Sequence, residues 1–320
     1  MQNACLREHN MKSFLITIDT EADNQWDFEH EISTECAKFL PRFQELCEKF
    51  GFKPTWLTNY EMANDDFFCH YMKEKLDDGL CEIGMHLHAW NTPPDYALKK
   101  THRERDYLIE YPVEVMDAKI ATMTDLIERN FGSRPVSHRS GRWTTNQEYF
   151  KILKKYGYKV DCSVTPHVDW TNCIGVTGIA GSNYLKCPEK PYYIYEDILE
   201  VPMTIRRKHM FVWERPYSLY TLCREMKRFV FGRNQWLRPD GSLLEKPLMK
   251  LVDIVSAENQ YLMFMIHSSE LMPAGSPNFK TAESIERLYE IIEAVFRKAT
   301  LLGYKGKTLK EYSEEDDKFR

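Results

Sequence analysis

The chain has 320 residues, 43% of them hydrophobic and 13% aromatic, enough to bury the core of one large α/β domain. A net charge of −5 and a pI near 6.1 exclude a broad electrostatic attraction to nucleic acid. No stretch approaches the roughly 20 apolar residues of a membrane span, and nine scattered cysteines without Cys-x-x-Cys spacing exclude a disulfide framework or a cysteine zinc knot.

Residues 1–11 read as a leader ahead of the domain, and the lack of an apolar run there argues against a secretory signal. With the cysteine pattern, this gives the expectation of a cytoplasmic protein with no membrane insertion; the oligomeric state stays open. Phe14 to Ile18 reads as the first strand. A helix over 32–50 follows, with Phe39, Leu40, Phe43, Leu46, Cys47 and Phe50 on its apolar positions and Gly51 as its stop. Thr55–Leu57 is a second strand, 66–78 a helix, and Cys81–Met85 a third strand. Residues 113–131 read as a helix, and Pro135–Ser137 and Tyr158–Val160 read as strand ends around the helix Gln147–Tyr156. Ile198–Val201 and Tyr261–Ile266 are later strands, and 282–301 is a final helix. Short apolar runs alternating with helical patterns predict βα units on a parallel sheet, in a single domain over 1–320. The glycines at 175, 178 and 181 lack a preceding strand and read as a turn. Residues 203–247 are the least regular part, with a lid or an interface both open.

Charged and imidazole side chains follow the strong strands, where β/α barrels build active sites. After Ile18 come Asp19, Thr20 and Glu21; positions i and i+2 of an extended chain face the same way, so both acids can meet in one pocket, and Asp23 can join them. Paired acids separate in pKa, so one can bind a metal while the other handles protons. His86 and His88 share the same spacing. Two histidines and a carboxylate form the open three-ligand set of catalytic zinc and of non-haem iron. Arg139, on a tight glycine turn, can pair with a carboxylate and keep it ionised. Asp161 ends a strand, and His267, held by an acid, can serve as a general acid.

These motifs, in order Ile18-Asp19-Thr20-Glu21, Gly84-Met85-His86-Leu87-His88, Arg139-Ser140-Gly141-Arg142-Trp143, Asp161-Cys162-Ser163 and Met265-Ile266-His267, resemble those of the polysaccharide deacetylases, carbohydrate esterase family four. The resemblance covers about residues 12–312. It implies a distorted (β/α) barrel of seven or eight strands, with Asp19 as general base and Glu21, His86 and His88 holding a divalent metal, zinc. It further implies that Arg139 holds Asp19 and that Asp161 tunes His267 as general acid. Two departures stand out: Thr20 separates acids that many members have adjacent, and the histidines are two apart rather than four. The run His267-Ser268-Ser269-Glu270-Leu271-Met272-Pro273 resembles a bacterial branch tied to surface-polysaccharide synthesis.

The implied activity is removal of an N-acetyl group from a sugar, on a surface polysaccharide or its cytoplasmic precursor. Among the loop aromatics Trp26, Phe28, Trp90, Pro93, Pro94, Tyr96, Trp143 and Trp170, the expected substrate contacts are Trp90 and Trp143, against the alternative of packing at the barrel mouth. The cationic stretch Arg224, Lys227, Arg228, Arg233 and Arg238 faces a diphosphate-linked sugar or a membrane surface, or else is a solvated helix face. Three rivals remain: a C–N hydrolase of small amides or imides, a glycan binder without catalysis, and an iron-dependent oxygenase.

Overall fold

A computed structural model of the protein describes residues 12–25, 27, 31–208, 222–223, 226, 230 and 232–315. The expected leader and Trp26, Phe28, Arg224, Lys227 and Arg228 lie outside the described residues. Among the described residues nine strands form one sheet: β1 (Ser13–Thr20), β2 (Pro54–Thr58), β3 (Glu82–Leu87), β4 (Ser137–Ser140), β5 (Val160–Asp161), β6 (Tyr192–Tyr195), β7 (Ile198–Glu200), β10 (Tyr261–His267) and β11 (Lys305–Lys307). Their order is β10-β1-β2-β3-β4-β5-β7-β6, with β11 beside β1, and every pairing is parallel except β6 with β7. The architecture is the expected distorted (β/α) barrel, with eight strands along its path.

The helices whose bounds lie among the described residues are α1 (Leu40–Lys49), α2 (Asp66–Asp77), α3 (Val113–Phe131), α4 (Gln147–Lys155), α5 (Glu245–Glu258), α6 (Ala282–Leu301) and the short α7 (Leu309–Ser313). The expected helix over 32–50 is broken: a 3-10 turn over Glu35–Phe39 precedes α1. Pro41 explains the break, since proline lacks the N–H an interior position needs and fits only a first helical turn.

The irregular region 203–247 has a structural task. Strands β8 (Ile205–Lys208) and β9 (Arg233–Trp236) pair antiparallel as a separate ribbon. Around it the chain spans the gap between the β5 side and β10. Met203 N–H donates to Val164 O at 3.0 Å, Leu237 N–H to Thr204 O at 3.0 Å, and Met265 N–H to Leu237 O at 3.3 Å.

Side-chain alternation sorts the sheet into two faces. Phe14, Ile16 and Ile18 of β1, Ile83, Met85 and Leu87 of β3, and Leu262, Phe264 and Ile266 of β10 pack outward against the helices. Leu15, Leu57, Val160, Cys162, Leu199, Met263 and Met265 fill the barrel interior. Asp19 has the parity of Leu15, and His267 that of Met263 and Met265, so both point inward. Among the described residues no helix is long and apolar enough to cross a membrane.

Candidate active site

Asp19, His86 and His267 at the ends of β1, β3 and β10, with Glu21 and His88 just beyond, line a cavity of about 670 Å³. Asp19 and His267 are register partners on adjacent strands, as are His86 and Arg139. Glu21, His86 and His88 are all buried, with one ligand atom each lying within 4.8 Å of the others. His88 Nε2 is 3.2 Å from Glu21 Oε2, and His86 Nε2 is 3.7 Å from the same oxygen.

The residues present fit a divalent ion. His86 Nδ1 lies 3.0 Å from the carbonyl oxygen of Arg139; that oxygen can only accept, so Nδ1 carries the proton and Nε2 presents its lone pair. The two Nε2 atoms are 3.0 Å apart. The two rings respond oppositely to their surroundings: burial opposes charge on His86, but Asp19 and Glu21 outweigh it and raise its pKa. Burial, and then the neighbouring His86, drive His88 well down. Such a cluster accommodates one cation rather than two protons.

Gly141 makes room for this packing. A Cβ there would stand 2.5 Å from Leu87 O and 2.7 Å from His88 Cδ2.

Arg139, fully buried, donates from Nη1 to Asp19 Oδ1 at 2.5 Å, from Nη2 to Thr17 Oγ1 at 2.9 Å and from Nε to Cys162 O at 3.1 Å. Burial alone would push the Asp19 carboxyl up; Arg139, His86 and His267 together hold it far below the usual carboxylate range. Its second oxygen, Oδ2, lies 3.9 Å from His86 Nε2 and 3.8 Å from His267 Nε2. Asp23 stays outside this group: its carboxylate accepts from Ser33 Oγ and from the backbone of Glu35 and Cys36.

One implied pairing is corrected. Asp161 does not sit behind His267. Val160 and Cys162 point into the barrel, so Asp161 between them points outward, to the opposite face of the sheet from His267. There Asp161 Oδ2 lies 2.6 Å from His138 Nδ1, and His138 Nε2 lies 2.8 Å from the hydroxyl of Tyr149 on α4. Burial lowers the pKa of His138, while Asp161 stays ionised against burial because His138 donates to it. Neighbouring Glu200 is pushed well up by burial and by Asp161, so it keeps its proton. These groups tie strands together from outside the site.

The acid behind His267 is Glu270. Its Oε2 lies 3.2 Å from His267 Nδ1, and Arg238 Nη2 donates to its two oxygens at 2.7 and 2.8 Å. Arg238 belongs to the cationic stretch read from the sequence, and it lines the cavity rather than a solvated helix face. Glu270 is legible in the His267–Pro273 run, three residues after His267; its role is not, because a 3-10 turn over Ser268–Leu271 brings it back to the ring.

Trp90 and Trp143 both line the cavity, as does Trp170. Trp90 stacks on His88 at 4.3 Å, and Trp143 meets Trp236 of the ribbon at 5.7 Å. Tyr96 is exposed instead, and neither Pro93 nor Pro94 reaches the lining. Sequence alone gave no sign of Trp236 and Asn234, which the ribbon carries to the cavity from far along the chain.

No protein-family model matches the chain, and no curated protein matches it in sequence. Solved structures do resemble it. A Mycobacterium smegmatis protein assigned as a polysaccharide deacetylase superposes with a TM-score of 0.54 at 12% identity, over 97% of this chain and 92% of that one. The family-four esterase domain of a multidomain xylanase, from the hindgut metagenome of Trinervitermes trinervoides, scores 0.49 at 10% identity, over 96% and 92%. A family-four pseudoenzyme from Bacillus anthracis scores 0.47 at 13% identity, over 96% and 66%. The last two scores add nothing to the first. At these identities the likeness is one of fold: the chain has the polysaccharide-deacetylase barrel.

Proposed function

We propose that the protein is a metal-dependent hydrolase that removes an N-acetyl group from a sugar. One observation carries it: Asp19 Oδ2 stands between the Glu21–His86–His88 trio and His267, 3.9 Å from one imidazole and 3.8 Å from the other. A base beside a metal trio and an acid across from it are the parts that amide hydrolysis needs.

Glu21, His86 and His88 would hold the ion, zinc being the expected one. When bound, it would polarise the acyl oxygen and acidify a water. Asp19 accepts the water's proton at Oδ2, while Arg139 fixes Oδ1 and keeps the carboxylate ionised. A carboxylate held so low is a weak base, which fits only an acidified water. His267 delivers a proton from Nε2 to the departing nitrogen, its Nδ1 turned to Glu270. Trp90 and Trp143 offer apolar faces to a sugar ring. The His267–Pro273 run supports a place in surface-polysaccharide synthesis, acting on a cytoplasmic precursor.

Elemental analysis of wild type beside His86→Ala tests the centre. About one zinc per chain, lost in the variant, is expected. Wild type that stays metal-free after incubation with zinc would end this reading in favour of a glycan binder, and iron in place of zinc would favour an oxygenase.

A further inference from the structure

Arg142 and Trp143 are consecutive non-glycine residues in the left-handed region, at φ 55° and 61°. Backbone of that kind persists where surrounding contacts over-determine it, commonly at functional sites. Here the contacts come from both sides of the turn. The hydroxyl of Tyr184 donates to the carbonyl of Trp143 at 2.6 Å. Arg142 Nη1 donates to the carbonyl of Arg105, and Nη2 donates to that of Ile174 at 3.0 Å. A planar guanidinium fork can bridge two acceptors in this way; an ammonium, a point charge on a flexible stem, cannot fix the same geometry.

The two carbonyls belong to different loops, one between β3 and α3 and the other between β5 and β6. Tyr107 stands where the loops meet. Its ring centre lies 4.2 Å from the Arg142 guanidinium, and its hydroxyl donates to Cys173 O at 2.8 Å. Glu110 is the acceptor counterpart of Arg142. Its carboxylate takes the N–H groups of Tyr107 at 2.6 Å, Thr177 at 2.7 Å and Val176 at 3.2 Å. A Cβ on Gly175 would overlap that carboxylate, so only glycine lets the second loop approach so closely. Thr101 N–H adds a bond to Val176 O at 2.8 Å. The joined loops carry Tyr107, Trp170 and Cys173 to the cavity, with Trp143 from the turn beside them; Glu110 is not in the lining. The segments that meet, 101–110 and 173–177, hold none of the metal trio and neither Asp19 nor His267.

We infer that Arg142 is a positioning residue: with Glu110 it clamps the loops after β3 and β5 into one wall of the cavity. Resting on the deacetylase reading above, this wall sets how tightly the sugar is held, while metal binding and proton transfer stay with the strand ends. The terminal nitrogens of Arg142 are committed to the two loop carbonyls, so it acts through the wall.

Hydrogen exchange read by mass spectrometry on the zinc-loaded protein tests the clamp without reference to activity. Wild type is compared with Arg142→Met, which keeps the aliphatic stem and loses the fork, and with Glu110→Gln, which turns an acceptor oxygen into a donor facing N–H groups. In either variant, segments 99–110 and 170–182 should exchange faster together, by about 10-fold, while α6 exchanges as in wild type. Steady-state kinetics on N-acetylglucosamine and its disaccharide give the second readout. KM should rise about 10-fold, with kcat within about 3-fold and the pH–rate profile unmoved. Arg142→Lys keeps the charge without the fork and should not restore KM.

Unchanged exchange in folded Arg142→Met, or faster exchange in one segment only, overturns the clamp. A wild-type KM with both loops loosened, or full rescue by lysine, overturns the role given to Arg142. Should Arg142→Met fail to fold, Glu110→Gln decides by the same two readouts. Loops that loosen together in a protein that releases no acetate would leave the clamp standing and end the deacetylase reading.

Discussion

Glu270, fully buried, accepts the backbone N–H of His267 at 3.0 Å with the same oxygen that faces the ring nitrogen Nδ1 at 3.2 Å. One carboxylate therefore fixes both the imidazole and the turn that carries it. Asn278 Nδ2 adds a bond at 2.8 Å to the other oxygen. Burial would raise the Glu270 carboxyl, but Arg238 and His267 hold it down to about 2. Its folded value is thus depressed from 4.5, so its charge and its stabilising effect are present above that value and fade only as pH falls toward 2.

Glu270→Gln keeps the shape and removes the charge. The expected result is a kcat lower by about 10- to 100-fold with KM little changed, and an alkaline limb of the pH–rate profile moved to lower pH. A profile that superimposes on wild type would remove Glu270 from the proton path.

Asp161→Asn should behave differently. The change removes a charge-assisted bond to His138 on the outer face of the sheet, at a cost of about 1–3 kcal/mol. Thermal melts should show the loss, while activity per folded molecule keeps the wild-type pH profile. A shifted profile would return Asp161 to the role the sequence motif implied.

Glu200 carries a pH signature of its own. A buried carboxyl with a raised folded pKa adds nothing below the unfolded value of 4.5 and penalises the folded state increasingly as pH rises above it. Glu200→Gln can keep the acceptor for Val164 N–H, at 3.0 Å, and a donor toward Asp161. The variant's melting temperature should exceed wild type by a margin that widens as pH rises above 4.5. A constant margin would contradict the protonated Glu200.

Much of this is legible in the amino-acid sequence. The final helix was read over 282–301 and is found at Ala282–Leu301, because a long 3.6-residue period leaves little ambiguity. The inward set Asp19, Glu21, His86 and His88 followed from i, i+2 spacing at strand ends. Asp161 was misplaced because a motif fixes order along the chain, not the face of the sheet; Val160 and Cys162, apolar on either side, already carried the alternation that turns it outward. Arg105, Trp236 and Arg238 reach the cavity from loops and a ribbon whose approach is set by long-range packing, which has no local period to read.

Acetate release tests the central claim most directly. Zinc-loaded protein would be assayed on N-acetyl sugars, wild type beside Asp19→Asn, with zinc content measured in both. The expected result is turnover by wild type and a fall of roughly 10²- to 10⁴-fold in the variant while zinc stays bound. Asp19→Asn releasing acetate at the wild-type rate, or zinc-loaded wild type releasing none from any of the sugars, would contradict the account.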